Sequence, residues 1–389
     1  MARPSPARES TASASTGWRI AQVAIVLSLV GLFAWLASNT AQNLHSRGIM
    51  VGFDFLWRGA RFPIAESLLP YDPTDSFGWA FVVGLGNTLY ITLLVIVLST
   101  ALGVVVGVAR RSSHPFASGL SAVFVDTCRN MPIVVQLLFW YAVVAFGLPD
   151  TDHASHPLPG VWFTDRGLYF PRLHLDGPLL PGVFVLVVGL GWAWTVRRRD
   201  QRRRTETGRS PHAGRKIVAG TLVAAVLVAA TTGLRPSLEY ATLGRFNYMG
   251  GVTLTPEFVA ILVGLTVYST AFAAEIIRGG LDAVPRGQWE AARAIGLSEH
   301  QTLRLIVLPQ AMRLIIPPMT SQYINIMKNS TLALVVGYPE LNFITATTIN
   351  QTGQALEGVG ILMAIFLAIS LGASWLMNLY NQKLGLVTR

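Results

Sequence analysis

The sequence predicts an all-α integral membrane protein with about eight transmembrane helices. Apolar residues make up 52% of the 389-residue chain and charged residues only 13%, whereas soluble proteins usually carry about 25% charged residues. Several stretches contain roughly 20 mostly apolar residues, the length that crosses the hydrocarbon core of a bilayer. The basic residues are concentrated in two segments, as is typical of membrane proteins with a fixed orientation.

The predicted spans are Trp18–Ser38, Trp79–Ala109, Pro132–Leu148, Leu179–Val196, Ile217–Leu234, Phe258–Ile277, Pro317–Val336 and Val359–Leu379. Helix contacts in lipid rely on small residues, because lipid tails are as apolar as leucine. Gly103 and Gly107 in the second span have the spacing of such a contact. A glycine pair in a valine-rich span also arises by chance, so the spacing alone leaves both interpretations open.

The formal net charge is +10, and its position along the chain predicts the orientation. Nine basic and two acidic residues lie between Arg197 and Lys216, and the tail before the first span adds a smaller excess. Cytoplasmic loops carry the excess of Lys and Arg. With eight spans, both basic segments and both termini then face the cytoplasm. Segments 39–78 and 149–178 face outside, and each is slightly acidic.

Composition also divides the chain. Residues 1–17 are predicted to be a disordered cytoplasmic tail, since they contain few large apolar groups. Residues 18–38 form an additional transmembrane helix, because their apolar run is longer than that of a signal peptide. Residues 39–78 are an outside segment whose aromatic side chains are expected at the membrane surface. An insertion at about 149–235, with a helical hairpin at about 179–235, interrupts the core at 79–385, which keeps five spans.

A cytoplasmic segment of about 40 residues between spans six and seven is predicted to form two short helices. Pro285 suits a first helical position, where its missing N–H has no consequence. Gly296 can adopt the left-handed conformation that ends a helix. Ser298 followed by Gln301 fits a capping box that starts the second helix, which Pro309 is expected to interrupt. Such a fixed cytoplasmic element can transmit the motion of a partner, so we interpret it as a coupling element.

Polar residues at membrane depth are costly unless they face the bundle interior or a cavity. No Asp or Glu lies well inside any predicted span, which argues against the alternative of an ion-coupled secondary amino-acid transporter. Span seven contains a polar cluster that we expect to line a translocation path, with Lys328 available to an acidic substrate group, unless Lys328 instead reaches an interface. Candidate path residues are Asn87, Gln136, Asn325, Lys328, Asn329, Ser330 and Thr331.

No ordinary enzymatic motif is present. The chain lacks G-x-x-x-x-G-K-[ST] and H-E-x-x-H, has a single cysteine, and has seven scattered histidines. We therefore expect no catalytic residues, no metal site and no cofactor on this chain. The two-helix loop also resembles a helix-turn-helix, but its second helix offers few basic residues and is held between two spans. A nucleic-acid partner is not expected.

The loop also carries a family resemblance. Its residues Glu290-Ala291-Ala292, Gly296, Ile306, Leu308 and Pro309 resemble the EAA loop of ABC importer permeases in type and spacing. The resemblance implies a type I ABC importer permease core, in which the loop at 279–316 seats in ATPase subunits that hydrolyse ATP. It implies an ATPase-coupling role for Glu290, Ala291, Ala292, Gly296, Ile306 and Pro309.

Further motifs are similar to permeases for polar amino acids, in particular the long permeases of general L-amino-acid or glutamate/glutamine/aspartate importers. These motifs are Gly86-Asn87-Thr88-Leu89, Arg129-Asn130-Met131-Pro132, Val135-Gln136-Leu137 and Pro339-Glu340-Leu341. The implied partners are a cytoplasmic ABC ATPase dimer, a second permease subunit (a different chain or a second copy) and a periplasmic amino-acid-binding protein. The implied location is the bacterial inner membrane.

Overall fold

The computed structural model describes residues 10–46, 52–176, 180–207, 213–231, 235–245 and 247–385. Residues 1–9 of the predicted tail and 208–212 of the basic segment lie outside the described residues. The helices are α1 Ser10–Ser46, α2 Phe77–Arg110, α3 Pro115–Asn130, α4 Ile133–Gly147, α5 Leu180–Thr207, α6 Ala213–Thr231, α7 Pro256–Asp282, α8 Arg286–Ala294, α9 Glu299–Thr302, α10 Leu308–Asn329, α11 Leu341–Thr352 and α12 Ala355–Gly385. Asp54–Trp57, Thr151–His153 and Ser330–Val336 form 3₁₀ turns, and Leu303–Val307 forms a π-helical turn.

The predicted helical membrane fold is confirmed, with differences in how individual spans are built. By length and composition, four helical segments of the described chain can cross a membrane unbroken: residues 20–40, 77–110, 256–282 and 355–375. Two bent pairs can each act as one broken span: α3 with α4, at 107°, and the helical run Glu299–Val336 with α11, at 50°. The inserted α5 contains a shorter apolar stretch, Phe184–Val196. Each of the eight predicted spans thus corresponds to a helix.

Two boundaries differ from expectation. Helix α1 begins at Ser10, so residues 10–17 of the tail predicted to be disordered are helical. The reason is compositional, since the run of Ala, Ser and Thr before Trp18 contains no proline to stop a helix that the apolar span nucleates. Helix α3 occupies a region that the sequence suggested was a loop, and Met131 and Pro132 separate it from α4. A proline lacks the N–H that would continue α3, so the helix bends there.

The chain forms two compact units, residues 1–138 with 261–389 and residues 139–260. We call the first the core unit and the second the inserted unit. The inserted unit extends beyond the predicted insertion at about 149–235. Strand pairing explains the difference, because strands on both sides of the α5–α6 hairpin hydrogen-bond to each other. The strands are β1 Ser155–Leu158, β2 Val161–Thr164, β3 Gly167–Phe170, β4 Arg172–Asp176, β5 Arg235–Glu239, β6 Thr242–Leu243, β7 Tyr248–Met249 and β8 Val252–Leu254.

Short antiparallel sheets in the inserted unit were not predicted. One sheet has the order β1-β2-β3-β8, and β4-β5 and β6-β7 form two-stranded pairs. Tyr169 is buried beside Tyr248, at 5.2 Å between ring centroids, and its hydroxyl donates to Asn247 at 2.6 Å. Burial raises the pKa of Tyr169. These strands have two to five residues, too few to show a clear alternation of apolar and polar positions in the sequence.

Residues 52–76, the cap segment, fold against the starts of α2 and α11. Phe55 and Phe62 are buried in a cluster with Phe77 and Leu341. The packing of these two side chains was not predicted, and burial on the helices stabilises them. Phe53 and Trp57 of the same segment are 56% and 85% exposed, so these aromatic side chains remain available to the membrane surface. Backbone bonds close the segment, with the Phe77 N–H donating to the Arg58 carbonyl at 3.0 Å. The cap segment is therefore a packed element of the core unit.

The core unit is assembled by close helix contacts. A Cβ added to Gly103 would lie 2.7 Å from the Ala273 Cβ, and one added to Gly107 would lie 2.7 Å from the Ala274 carbonyl oxygen. Helices α2 and α7 thus approach at a distance that only glycine permits on α2. The packing role of the glycine pair, which the sequence left open, is confirmed.

Gly107→Ala should destabilise the protein by about 1–3 kcal/mol, because the new methyl group meets a backbone oxygen that moves only with α7. The thermal unfolding midpoint of the purified protein in detergent should fall. Gly119→Ala is the matched control, since no atom lies within 4 Å of its added Cβ in α3, and its midpoint should stay or rise. A Gly107→Ala midpoint equal to that of the control would contradict the contact.

Candidate functional site

Helix α8 is attached to the core by one face. Ala292 is 1% exposed and Trp289 is half-buried, packed on a cluster that includes Leu281 of α7 and Val307 of the π-helical turn. The opposite face carries Glu290 and other exposed residues. The spacing of the buried positions, 289 and 292, is that of one helical face. Helix α8 is therefore seated firmly on the chain while half of its surface stays open.

The predicted turn at Gly296 is confirmed. Gly296 has φ +81°, in the left-handed region that favours glycine. The Gly296 N–H donates to the Arg293 carbonyl at 3.0 Å, and the Leu297 N–H donates to the Ala292 carbonyl at 3.1 Å, which ends α8. Pro285 is the residue that precedes α8 and not its first helical residue, a shift of one position.

The predicted capping box is also confirmed. The Ser298 N–H donates to the Gln301 side-chain oxygen at 2.9 Å, and the Gln301 N–H donates to the Ser298 hydroxyl at 3.3 Å. Both bonds satisfy backbone donors that the first turn of α9 leaves without a helical partner. The direction of the chain after Gly296 is therefore fixed by local bonds.

Pro309 does not interrupt the second helix as expected. Helix α9 continues through the π-helical turn Leu303–Val307 into α10, where Pro309 lies in the first turn. A proline ring clashes with the carbonyl four residues before it, and a π turn widens the helix locally so that the chain passes without ending. Helix α9, the π-helical turn and α10 therefore form one continuous helical element, which begins after the Gly296 turn.

An ion-pair network lies where α2, α7 and α8 meet, and it was not predicted from the sequence. The Arg111 guanidinium lies 2.9 Å from the Asp282 carboxylate and 4.9 Å from the centre of the Trp289 ring. Arg278 contacts Asp282 at 2.8 Å and also pairs with Glu275. The available signal was the spacing of Glu275 and Asp282, seven residues apart on one face of α7. The network joins α2, α7 and α8.

A third arginine, Arg110, extends the network to α3. The Arg110 guanidinium contacts Glu275 at 2.7 Å and Asp126 at 3.1 Å. A single exposed ion pair contributes little to stability. A network of partly buried charges, in contrast, fixes the positions of several helices at once. The arginines of the segment between α2 and α3 therefore act as structural ties as well as orientation signals.

The six predicted coupling residues divide between an open surface and the interior of the chain. Glu290, Ala291, Gly296 and Pro309 are exposed, and Ile306 is half-buried. Ala292 is covered by the chain itself, so its small side chain serves the seating of α8. Ile295, 73% exposed, adds an apolar side chain to the open surface beside Gly296. The surface that a partner can reach is thus α8, the Gly296 turn and the start of α9.

Asn87, a predicted path residue, is 1% exposed and fully engaged. Its side-chain oxygen accepts from the Leu68 N–H at 3.0 Å, and its nitrogen donates to the carbonyls of Glu66 at 2.9 Å and Pro339 at 2.8 Å. Glu66 and Leu68 belong to the cap segment and Pro339 precedes α11. The Asn87 side chain therefore links α2 to the cap segment and to the backbone just before α11.

The break between the 3₁₀ turn Ser330–Val336 and α11 holds a buried carboxylate. Glu340 is completely buried, and it accepts from the N–H groups of Asn342 at 2.8 Å and Phe343 at 2.9 Å. The Thr88 hydroxyl accepts from the Leu341 N–H at 3.0 Å. Glu340 thus caps α11, and the search for carboxylates inside the spans missed it because this residue lies in the break.

Gln136 and the span-seven cluster have different surroundings. The Gln136 side chain is buried and donates to the carbonyls of Cys128 at 2.9 Å and Met131 at 3.2 Å, across the bend between α3 and α4. Asn325 and Lys328 are exposed and three residues apart, on one face of α10. Asn329 and Thr331 are half-buried, and Ser330 is buried with its hydroxyl on the Met327 carbonyl at 2.6 Å. The five candidate path residues from Asn325 to Thr331 thus lie together. Asn87 and Gln136 lie elsewhere and bond to other parts of the backbone.

Within the described residues, Lys328 forms no ion pair with a carboxylate. Its exposed side chain in the last turn of α10 lies near helix carbonyl groups that favour a cation. A search of the same described residues finds no group of three His, Cys, Asp or Glu side chains that can hold a metal ion.

Comparison with known proteins assigns the family. Residues 215–386 match the family model described as "Binding-protein-dependent transport system inner membrane component". The chain is 40% identical to the permease protein YhdX of Escherichia coli (strain K12), covering 95% of this chain and 94% of that protein. It is 36% identical to the general L-amino acid transport system permease protein AapQ of Rhizobium johnstonii, covering 95% and 92%. The chain therefore belongs to the family of inner-membrane permease components of binding-protein-dependent ABC transport systems.

Two further comparisons add detail. The chain is 35% identical to the glutamate/glutamine/aspartate/asparagine transport system permease protein BztB of Rhodobacter capsulatus, covering 94% of this chain and 93% of that protein. A crystal structure of an amino acid ABC transporter aligns with 79% of this chain and 95% of its own, at 19% identity and a TM-score of 0.48.

Asn87→Leu should destabilise the protein by about 2–3 kcal/mol, because it removes three hydrogen bonds and leaves buried backbone groups without partners. The thermal unfolding midpoint should fall, and amide hydrogen exchange should quicken at Leu68. Asn43→Ala is the matched control, because it removes one exposed bond within α1. Equal midpoints in the two variants would show that the Asn87 side chain does not hold these parts of the chain together.

Proposed function

We propose that this permease imports L-amino acids, polar or acidic or over a broad range, through an ATP-driven importer. The relatives that support this cargo are similar over nearly the whole chain, and their names specify general L-amino acids and glutamate, glutamine, aspartate or asparagine. The chain contributes the membrane path. ATP is hydrolysed by a separate subunit, since the sequence has no phosphate-binding G-x-x-x-x-G-K-[ST] loop, and no cofactor is assigned to this chain.

The observation that carries the coupling proposal is the seating of α8. One face of α8 is fixed to the core through Trp289 and Ala292, and Arg111 ties it to α2 and α7. The other face offers Glu290 and Ala291 to a partner. A rigid element with small side chains on its open surface fits closely into a cleft and transmits a rigid-body movement. The surface from Glu290 to Pro309 is therefore the proposed docking site of the ATPase.

The proposed assembly contains a cytoplasmic ABC ATPase dimer, a second permease subunit and a periplasmic amino-acid-binding protein. The chain lies in the bacterial inner membrane with both termini in the cytoplasm. Its orientation follows the excess of arginine and lysine, which also puts Arg110 and Arg111, at the end of α2, on the same side as α8. The cap segment, at the opposite end of α2, then faces the periplasm.

Gly296→Ala should impair ATPase docking, because φ +81° disfavours a side chain and the turn must rearrange. Co-purification with the cognate ATPase subunit should weaken, and substrate-stimulated ATP hydrolysis should fall about tenfold or more. Gly360→Ala is the matched control, since an added Cβ has no atom within 4 Å and the residue lies inside α12, outside the proposed docking surface. Glu290→Arg, a reversal of charge on the open face, should reproduce the docking defect without lowering the unfolding midpoint. Unaltered docking in both Gly296→Ala and Glu290→Arg would refute the site.

We further propose that Asn325, Lys328, Asn329, Ser330 and Thr331 border the translocation path. The support is the exposed face of α10 at Asn325 and Lys328 within an apolar helix. Asn87 and Gln136 contribute by holding the neighbouring backbone, through the bonds described above.

Lys328→Met should lower uptake of glutamate by the reconstituted complex about tenfold, and uptake of glutamine by less, because the ammonium attracts the acidic side chain of glutamate. Radiolabelled uptake into proteoliposomes measures both. Arg313→Met, also an exposed cation on α10, is the control and should leave the ratio unchanged. An unchanged ratio of glutamate to glutamine uptake in Lys328→Met would contradict a role of Lys328 in the translocation path.

A further inference from the structure

A polar cavity lies away from α10, between the cap segment and the end of α11. Its volume is about 480 Å³, and its lining residues are Phe55, Arg58, Gly59, Ala60, Arg61, Phe77, Gln351, Thr352 and Gln354. Small-molecule sites usually occupy roughly 300–1,000 Å³ and combine apolar walls with a few polar groups. The cavity has both, since two phenylalanines form one part and guanidinium and amide groups form the rest.

The charge of the cavity has one sign. Arg58 and Arg61 are the charged lining residues, and no carboxylate lines the cavity. In the described part of the chain, neither guanidinium forms an ion pair. Both arginine side chains are exposed, so solvent compensates part of their charge, and an anion that replaces this solvent gains two guanidinium partners. A guanidinium group matches a carboxylate with two parallel hydrogen bonds.

The backbone at this site is held in an unusual conformation. Arg61 has φ +57°, and it is the one residue other than glycine with positive φ in the described chain. The conformation is fixed from both sides, since the Arg61 N–H donates to the Pro73 carbonyl at 2.8 Å and the Ala60 N–H donates to the Asp75 carbonyl at 2.7 Å. Glycine adopts this conformation without strain. An arginine there is a local outlier of the kind that clusters at ligand sites.

The wall of the cavity opposite the two arginines is formed by the end of α11. Gly353, with φ +73°, ends α11 and turns the chain toward α12, which brings Gln351 and Gln354 to the cavity. Both amide side chains can donate to an oxygen as well as accept from an amino group.

We propose that this cavity binds a small carboxylate anion, with L-glutamate as the representative amino acid, at a site separate from the path along α10. The two guanidinium groups donate hydrogen bonds to the carboxylate oxygens, and the amide side chains bind the other polar groups of the ligand. A cationic amino acid is excluded, because no carboxylate is present to hold its side chain. The periplasmic position of the site rests on the orientation proposed above, but the binding itself does not.

Isothermal titration of the full-length chain in lipid nanodiscs with L-glutamate tests the proposal. Saturable binding is expected, and L-lysine should give none. Arg61→Gly removes the charge while it suits φ +57°, so the fold should be kept and the affinity should fall at least tenfold. Arg58→Gln should act in the same direction. Arg172→Gln, at an exposed strand position outside the cavity, is the control and should bind as the wild type does.

Four outcomes would overturn the proposal. The first is no saturable binding of glutamate to the folded wild-type chain. The second is equal affinity in Arg61→Gly and Arg172→Gln. The third is loss of binding in Lys328→Met instead of Arg61→Gly, which would place the bound glutamate on α10. Inorganic phosphate is titrated in parallel, and the fourth outcome is tighter binding of phosphate than of glutamate. None of these measurements requires the ATPase, so their failure is distinct from a failure of docking at α8.

Discussion

The constraint on which the core unit depends is that backbone polar groups inside a membrane need partners wherever a helix breaks. In the described part of the chain, two spans are broken, between α3 and α4 and between the run Glu299–Val336 and α11. At the first, Gln136 bonds to carbonyls on the α3 side. At the second, Asn87 bonds to the Pro339 carbonyl while Glu340 and Thr88 accept from the first N–H groups of α11. Buried polar side chains thus permit the broken helices.

The same bonds connect distant parts of the chain. Asn87 also holds two backbone groups of the cap segment, so α2, the cap segment and α11 form one body. At the other end of α2, Arg110 and Arg111 join α3, α7 and α8. Helix α2 is about 51 Å long at 1.5 Å per residue, and it is held by polar ties at both ends and by glycine contacts with α7 between them. Its polar residues therefore act mainly where helices end.

Much of this organisation could be predicted from the sequence because local physics determines it. The apolar spans follow from length and composition, the Gly296 turn follows from backbone freedom, and the capping box at Ser298 follows from residue type and spacing. Asn87 and Glu340 show the limit. One partner of Asn87 lies 252 residues away in sequence. The bonds of Glu340 are local, but they lie in a buried helix break that the sequence did not predict. The sequence placed both residues in motifs that resemble a permease family, and only the fold shows that their polar atoms are occupied by backbone groups.

The continuity of α9, the π-helical turn and α10 has a mechanical consequence for the proposed coupling. The helical run from Glu299 to Val336 extends about 57 Å, and it joins the α9 end of the proposed docking surface to the polar cluster at Lys328 without a loop, whereas the Gly296 turn separates α8 from this run. A loop would absorb a push from the ATPase, whereas a helix transmits it. The run can bend at the π-helical turn and at Pro317 and Pro318, where regular helix bonds are lost. Because Asn87 and Glu340 hold the region beyond Val336, a movement imposed at the start of this run would concentrate at those two bends. The proposed docking would then move the face that carries Asn325 and Lys328.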